Sequence, residues 1–264
     1  MKKLYILVVA LCRVLPLFAQ DNYEIQVYEA ATVSKDATMV ELHSNFTFGG
    51  QQYTQEGVLP THNIDHETVE ITHGFTNWFE TGFYFFNAIG SDGRTNYVGS
   101  HIRPRVMVPT SWNWPVGVSL SAEVGYQKPQ YSPDDWTLEI RPIIDKNWKK
   151  FYVSLNPTFD KSLHGYNENK GFDFSPNVKA SYNVTKVTAI GFEYYGAVGN
   201  VFMFEPAAQQ QHQLFLAIDL DFNPDWEFNA GYGLGFTPAT DNDIFKVILG
   251  YKIHKKAPKP PAIK

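Results

Sequence analysis

The feature that most restricts the fold is an alternation of apolar and polar side chains that runs for about ten residues, stops at a turn and starts again. In 116–126, Val116, Val118, Leu120, Ala122, Val124 and Tyr126 form one face, while Gly117, Ser119, Ser121, Glu123 and Gly125 form the other. The same division recurs at 135–145, 151–160, 172–182, 212–222 and 226–236, and more weakly at 38–48, 62–73, 78–87, 97–108, 187–196 and 243–253. Successive strand residues point to opposite faces, so each segment has a greasy side and a polar side. In "HIRPRVMVPT", beginning at His101, Arg103 and Arg105 alternate with Ile102, Val106 and Val108. A soluble sheet would turn those arginines to water, whereas a closed barrel in lipid would turn them to a lumen. The segments number twelve, an even count as a single-chain bacterial barrel requires. The expected fold is all-β, a transmembrane antiparallel up-and-down β-barrel of about 12 strands.

Several classes are excluded. No run beyond the first residues approaches the roughly 20 apolar residues of a spanning helix. Aromatic residues make up 16% of the chain, which rules out disorder, and the net charge of −5 gives no basic footprint for nucleic acid. Cys12 is the only cysteine. It falls within residues 1–20, which read as an export signal: Lys2 and Lys3, an apolar stretch from Leu4 to Leu11, and cleavage near Ala19 or Gln20. The mature chain then has no thiol for disulfides, nucleophilic catalysis or metal ligation.

Connections give an independent check. Those at 73–77, 146–150, 184–186 and 223–225 are short and 109–115 is moderate, whereas 49–61, 88–96, 127–134, 161–171 and 197–209 are mostly longer. Short periplasmic turns alternating with longer external loops fit an outer-membrane barrel with both termini in the periplasm. Tyr126, Trp136, Phe151, Phe172, Tyr182, Trp226 and Phe236 stand at segment ends, as interfacial girdles require. Pro104, Pro142, Pro157 and Pro176 each need a bulge or local break. The barrel is expected over 38–253, with 21–37 as a periplasmic arm or lumenal segment and 254–264 as a flexible periplasmic tail.

The stretches "MVELHSNFTFGG", "HETVEITHGFTNWFETGFYFF", "GSHIRPRVMVPTSWNWPVGVSLSAEVGYQ" and "TLEIRPIID" resemble outer-membrane barrels filed as putative phenol meta-pathway (MetA-type) transporters. The resemblance covers most of the mature chain. It implies a barrel exported to the outer membrane of a Gram-negative bacterium, and it brings no catalytic motif. "KVILGYKI" matches the C-terminal barrel signal only in part, since Ile253 stands where an aromatic residue is usual.

Hairpin arithmetic places charges on adjacent strands at similar depth. A turn centred near 75 sets Glu70 opposite Glu80, and the following connections bring Glu80 near Arg103, Arg103 near Glu123 and Glu123 near Glu139, with Arg105 and Arg141 beside them. Unpaired charges in a narrow lumen would cost several kcal/mol each, so the expected arrangement is guanidinium groups forking onto carboxylates. The belt reads first as a cross-brace that fills the barrel and second as a constriction that selects solutes, two roles that are compatible. Glu70, Glu80, Arg103, Arg105, Glu123, Glu139 and Arg141 are the candidate pore-lining residues.

Other motifs give less. "HSN" at 43–45 has the residue types of barrel phospholipases, yet His43 and Ser44 point oppositely. His62 and His66 read as a solvated rim pair rather than a metal site, and Asp219, Asp221 and Glu227 as a solvated rim near a periplasmic turn. The glycines of "GYGLGF" at 231–236 make room in the lumen, with no helix to present amides to phosphate, and "NFT" and "NVT" are irrelevant in a bacterial barrel. The expected function is passive passage of small solutes through a monomeric or weakly associating barrel. No enzyme activity, cofactor or metal is expected, and the partners are outer-membrane lipid, lipopolysaccharide, the barrel-insertion machinery and small solutes. The rivals are a non-conducting structural or loop-mediated interaction barrel and a lipid-modifying barrel enzyme.

Overall fold

The structure is a computed structural model that describes residues 22–254, Glu56 excepted. The expected signal at 1–20 and all but the first residue of the expected tail lie outside the described residues. Fourteen strand segments form one antiparallel sheet. They are β1 (Ala37–Gly49), β2 (Ile64–Thr76), β3 (Phe79–Ile89), β4 (Thr95–Met107), β5 (Gly117–Gln127), β6 (Trp136–Trp148), β7 (Phe151–His164), β8 (Asp173–Asn183), β9 (Thr188–Ala197), β10 (Gly199–Asn200), β11 (Met203–Phe204), β12 (Gln211–Leu220), β13 (Trp226–Gly235) and β14 (Asn242–His254). The two-residue β10 and β11 form a small hairpin within the loop after β9. Each of the twelve long strands pairs with its neighbour in order, β9 pairs with β12, and β1 pairs with β14 from Ala37↔His254 to Gly49↔Asn242. The ring is therefore closed and leaves no strand edge, which is the only way a sheet can satisfy its backbone in hydrocarbon.

The two faces are inverted relative to a soluble protein. Leu42, Ile71, Phe83, Phe85, Leu120, Phe192, Leu216 and Phe245 are exposed, while Glu70, Glu80, Arg103, Asn156, Glu193 and Lys246 are buried. Exposed aromatics stand at both ends of the wall. Trp78, Trp112, Trp148, Phe151 and Trp226 mark the end with short turns, and Phe48, Tyr97, Trp136 and Phe236 the end with long loops. Such bands match the girdles that position a barrel between two interfaces.

Two ladders are interrupted at prolines. The β6–β7 ladder pairs Ile140 with Phe159 and Ile144 with Leu155 and skips the residues between, where the register sets Pro142 opposite Pro157. Pro157 in turn pairs with Pro176 on β8. The β4–β5 ladder skips Arg103 and Pro104.

The core lies inside the barrel. Residues 22–36 run through it, from Asn22, whose amide donates to Asp241 at the long-loop end, to Asp36, whose N–H donates to Gly74 O at the short-turn end. Its side chains dock on separate patches of wall. Tyr23 packs with Tyr84, Phe86, Ala88 and Val98; Ile25 and Val27 pack with Tyr195, Phe215 and Ile244; Tyr28 and Ala30 pack with Ile143.

The outward assignment is testable. Leu216, 56% exposed at mid-strand, should lose about 2–4 kcal/mol of unfolding free energy on substitution by Arg. Ala217→Ser, one residue on and facing inward, should leave stability close to that of the parent. Urea unfolding from lipid vesicles reads both, and equal effects at the two positions would mean that Leu216 does not face hydrocarbon.

Candidate functional site in the lumen

All seven belt residues point inward. Glu70, Glu80, Arg103, Arg105, Glu123 and Arg141 are buried and Glu139 is partly so. Their registers differ from the hairpin arithmetic on one side. The β2–β3 turn is centred near 77 rather than 75, because β2 runs on to Thr76 and the strands close tightly at Thr76↔Phe79, with a one-residue bulge between Gly74 and Thr76. Glu70 therefore sits opposite Tyr84, and Glu80 sits opposite Gly74 and, on β4, opposite Arg105. Glu123↔Glu139 pairs as the arithmetic requires.

The side chains nevertheless meet. Arg103 Nη2 lies 2.7 Å from Glu70 Oε1 and 3.6 Å from Glu80 Oε1, and Arg105 Nε donates to Glu80 Oε1 at 2.7 Å. The reach of Arg103 across β3 depends on Gly82, its register partner. A Cβ there would stand 3.2 Å from Glu70 Oε1 and 3.3 Å from Arg103 Nη2. On the other side Arg141 holds Glu139 with Nε at 2.7 Å from Oε1 and reaches Glu24 of the inner segment at 3.1 Å. His101 meets Glu123 at 2.5 Å, its ring lying over Gly125, where a Cβ would come within 1.7 Å of it.

Tyr28 of the inner segment ties these pairs together. The guanidinium carbons of Arg103, Arg141 and Arg105 lie 4.4, 4.8 and 5.6 Å from its ring centroid, and its hydroxyl donates to Glu24 at 2.5 Å. Ser154 and Asn156 donate to Tyr28 O, and Tyr28 N–H donates to Asn156 Oδ1 at 2.7 Å. Arg105 donates to the carbonyls of Glu29 and Ala31, and Val33 N–H donates to Glu80 at 2.5 Å. The belt thus grips the backbone of residues 28–33 as well as bracing the wall.

A second cluster on the opposite wall lies outside the predicted belt. Glu193 accepts from Lys246 through a short ion pair, from Lys179 at 3.2 Å and from Tyr195 at 2.7 Å, while Lys179 also pairs with Asp219 at 2.7 Å. Lys246 donates to Ile25 O at 3.0 Å, another hold on the inner segment. Asp219 therefore belongs to a lumenal network rather than to a solvated rim, although Asp221 is exposed as expected. His66 corrects another expectation. It is buried inside the wall with Nδ1 3.2 Å from Asn45 O and an edge contact to Tyr23, because it stands on the inward face of β2 opposite Asn45.

Glu41, His43 and Glu70 each offer one donor atom within 4.8 Å of the others, the one such group among the described residues. Arg103 already occupies Glu70 Oε1, and His43 Nε2 stands 3.5 Å from Glu70 Oε2, so this trio is built first as a continuation of the ion-pair belt. His43 is buried, whereas Ser44 faces the other side. They form no catalytic pair.

Towards the long loops the lumen widens into a vestibule of about 690 Å³, lined by Tyr23, Glu24, His101, Glu123, Arg141 and Asp160 among others. Glu70, Glu80, Arg103 and Arg105 are not part of that lining, so the cavity ends on the upper side of the belt.

A closed antiparallel ring with an apolar exterior, a charged interior and an outer vestibule is the architecture of porin-like outer-membrane barrels. Solved structures agree on the fold. The chain is similar to the KdgM porin, with a TM-score of 0.55 and 12% identity, covering 82% of this chain and 99% of that chain. That porin is also known in complex with disordered oligogalacturonate. It is similar to the NanC porin at a TM-score of 0.53 and 8% identity, covering 82% of this chain and 100% of that one. The COG4313 outer membrane channel from Pseudomonas putida F1 follows at a TM-score of 0.52 and 12% identity, covering 87% and 99%. No family model and no curated protein matches, so the family resemblance rests on the residues quoted for it.

Proposed function

We propose that this chain is an outer-membrane channel for small solutes, with Glu70, Glu80, Arg103, Arg105, Glu123, Glu139 and Arg141 at its narrowest part. The observation that carries the reading is a wide vestibule of mixed polar and apolar lining that converges on charged side chains, inside a wall whose outside is apolar. In such a bore fixed charges of both signs set which ions and solutes cross. The reading places the mature chain in the outer membrane of a Gram-negative bacterium, inserted by the barrel-assembly machinery and surrounded by lipid and lipopolysaccharide. The phenol meta-pathway resemblance supports this location and does not name the solute. No enzymatic role is proposed.

A second reading has its own observation. Residues 22–36 occupy the bore at the level of the belt, which suits a non-conducting barrel that acts through its loops. Planar-bilayer recording on refolded protein separates the two. Discrete conductance steps with ion selectivity are expected, and a silent protein that stays silent when the inner segment is removed would end the channel reading.

A further inference from the structure

Four neighbouring strands set carboxylates side by side along one wall. The register pairs Glu123 with Glu139, Glu139 with Asp160 and Asp160 with Asp173, on β5, β6, β7 and β8. Neighbouring strands stand about 5 Å apart, so the row spans roughly 15 Å. Directly opposed like charges destabilise a sheet, and each of these three junctions has them. Glu24 of the inner segment adds a fifth carboxylate beside Arg141.

The cations that form ion pairs with the row are too few and lie at one end. Arg141 serves Glu139 and Glu24, and His101 serves Glu123. Asp160 accepts only the hydroxyl of Ser175 at 3.0 Å, and among the described residues no cation forms an ion pair with Asp160 or Asp173. The neighbouring Lys161 lines the same cavity but directs its ammonium to the carbonyls of Glu168 and Lys170 rather than to an ion pair with either carboxylate.

Independent acceptors face the same space. Asn177 and Gln213 are 6% and 2% exposed, line the vestibule, and have Oδ1 and Oε1 without a hydrogen-bond partner. Their amide orientations are set from the other side, because Asn177 Nδ2 donates to Thr158 Oγ1 and Gln213 Nε2 donates to Asp241 O. Buried acceptors of this kind need a donor. Glu123 Oε2 is a further acceptor in the same position.

From this juxtaposition we infer that the vestibule binds a linear polyamine, with ammonium groups seated along the carboxylate row from Glu123 to Asp173. A compact metal ion draws its ligands to within about 2.6 Å of one point, which a row of this length does not allow. A linear polyamine has donors and positive charges separated by three or four methylenes, close to one strand spacing. Tyr23 and Tyr131, aromatic residues with an apolar body and a polar tip, also line the cavity. An acidic saccharide would meet the row with the wrong charge.

The inference names the solute class for the proposed channel and rests on that reading only for passage, since binding is measured separately. Spermidine titrated calorimetrically into the refolded mature chain should bind saturably at one site. The Asp160→Asn/Asp173→Asn variant should bind at least about tenfold more weakly, the loss expected from removing charge-assisted hydrogen bonds. Removing opposed charges should leave folding intact, which heat-modifiable gel mobility reports. Asp92→Asn, in the exposed turn after β3, should bind like the parent. The inference is overturned by absence of saturable spermidine binding, by unchanged affinity in the double variant, or by full displacement with equimolar Mg²⁺. Binding without conductance would defeat the channel reading alone, and conductance without binding this inference alone.

Discussion

Removal of residues 22–33 should raise single-channel conductance at least about tenfold over the full-length chain, because it empties the cross-section that the belt and the inner segment now share. The segment has no ladder of its own, so its backbone groups find their partners on the wall. Thr68 donates to Tyr23 O, Lys246 to Ile25 O, Ser154 and Asn156 to Tyr28 O, and Arg105 to Glu29 O and Ala31 O. Each such bond contributes about 1 kcal/mol net, so the segment is held firmly although no single contact is indispensable.

The barrel should survive the deletion. Its closure between β1 and β14 begins at Ala37, beyond the removed residues, and the wall groups set free would meet water entering the lumen. Tyr28→Ala should give an intermediate result. It removes the ring that three guanidinium groups share while leaving the backbone contacts in place. If the shortened chain conducted no better than the parent, residues 22–33 would not be what closes the bore.

The strand pattern was legible because lipid imposes it: every outward residue must be apolar, so an alternation as clear as that of 116–126 admits few folds. The inner segment was less legible for a related reason. Where it docks, the inward face is apolar too, and the alternation fades. Tyr84 and Phe86 alternate with Phe83 and Phe85, Phe215 and Ala217 with Leu214, Leu216 and Ile218, and Ile244 and Ile248 stand in a run of similar residues. These faded stretches are the sequence trace of a seat for an apolar strand, and "YEIQVYEA" at 23–30 has the alternation to fill it. The belt was readable from charged residues between apolar ones. Lys179, Glu193 and Lys246 have the same signature, but two of their strands are among the weaker segments. The arithmetic for Glu70 and Glu80 missed because β2 continues to Thr76, through the stretch 73–76 whose residues read as a turn.

Arg103→Ala should lower the unfolding free energy by about 3–5 kcal/mol, the cost of leaving a buried carboxylate without its counter-charge. Arg103 is 1% exposed, and its loss strands Glu70, which keeps only the Thr72 hydroxyl at 2.6 Å and the more distant His43. Glu80 suffers less, because Arg105 and the Val33 N–H still hold it. The pairing can be isolated by a second change. Arg103→Ala/Glu70→Gln removes the stranded charge along with its partner and should recover more than half of the loss, whereas a packing defect at the Tyr28 and Tyr84 rings would persist in both variants. The same substitution deletes a positive charge from the lumenal belt, so permeability should shift toward cations in any barrel that conducts. Urea unfolding from vesicles and reversal potentials across a salt gradient measure the two effects. If neither moved, Arg103 would be neither brace nor filter, and the belt would have to be centred on Arg105 and Arg141 instead.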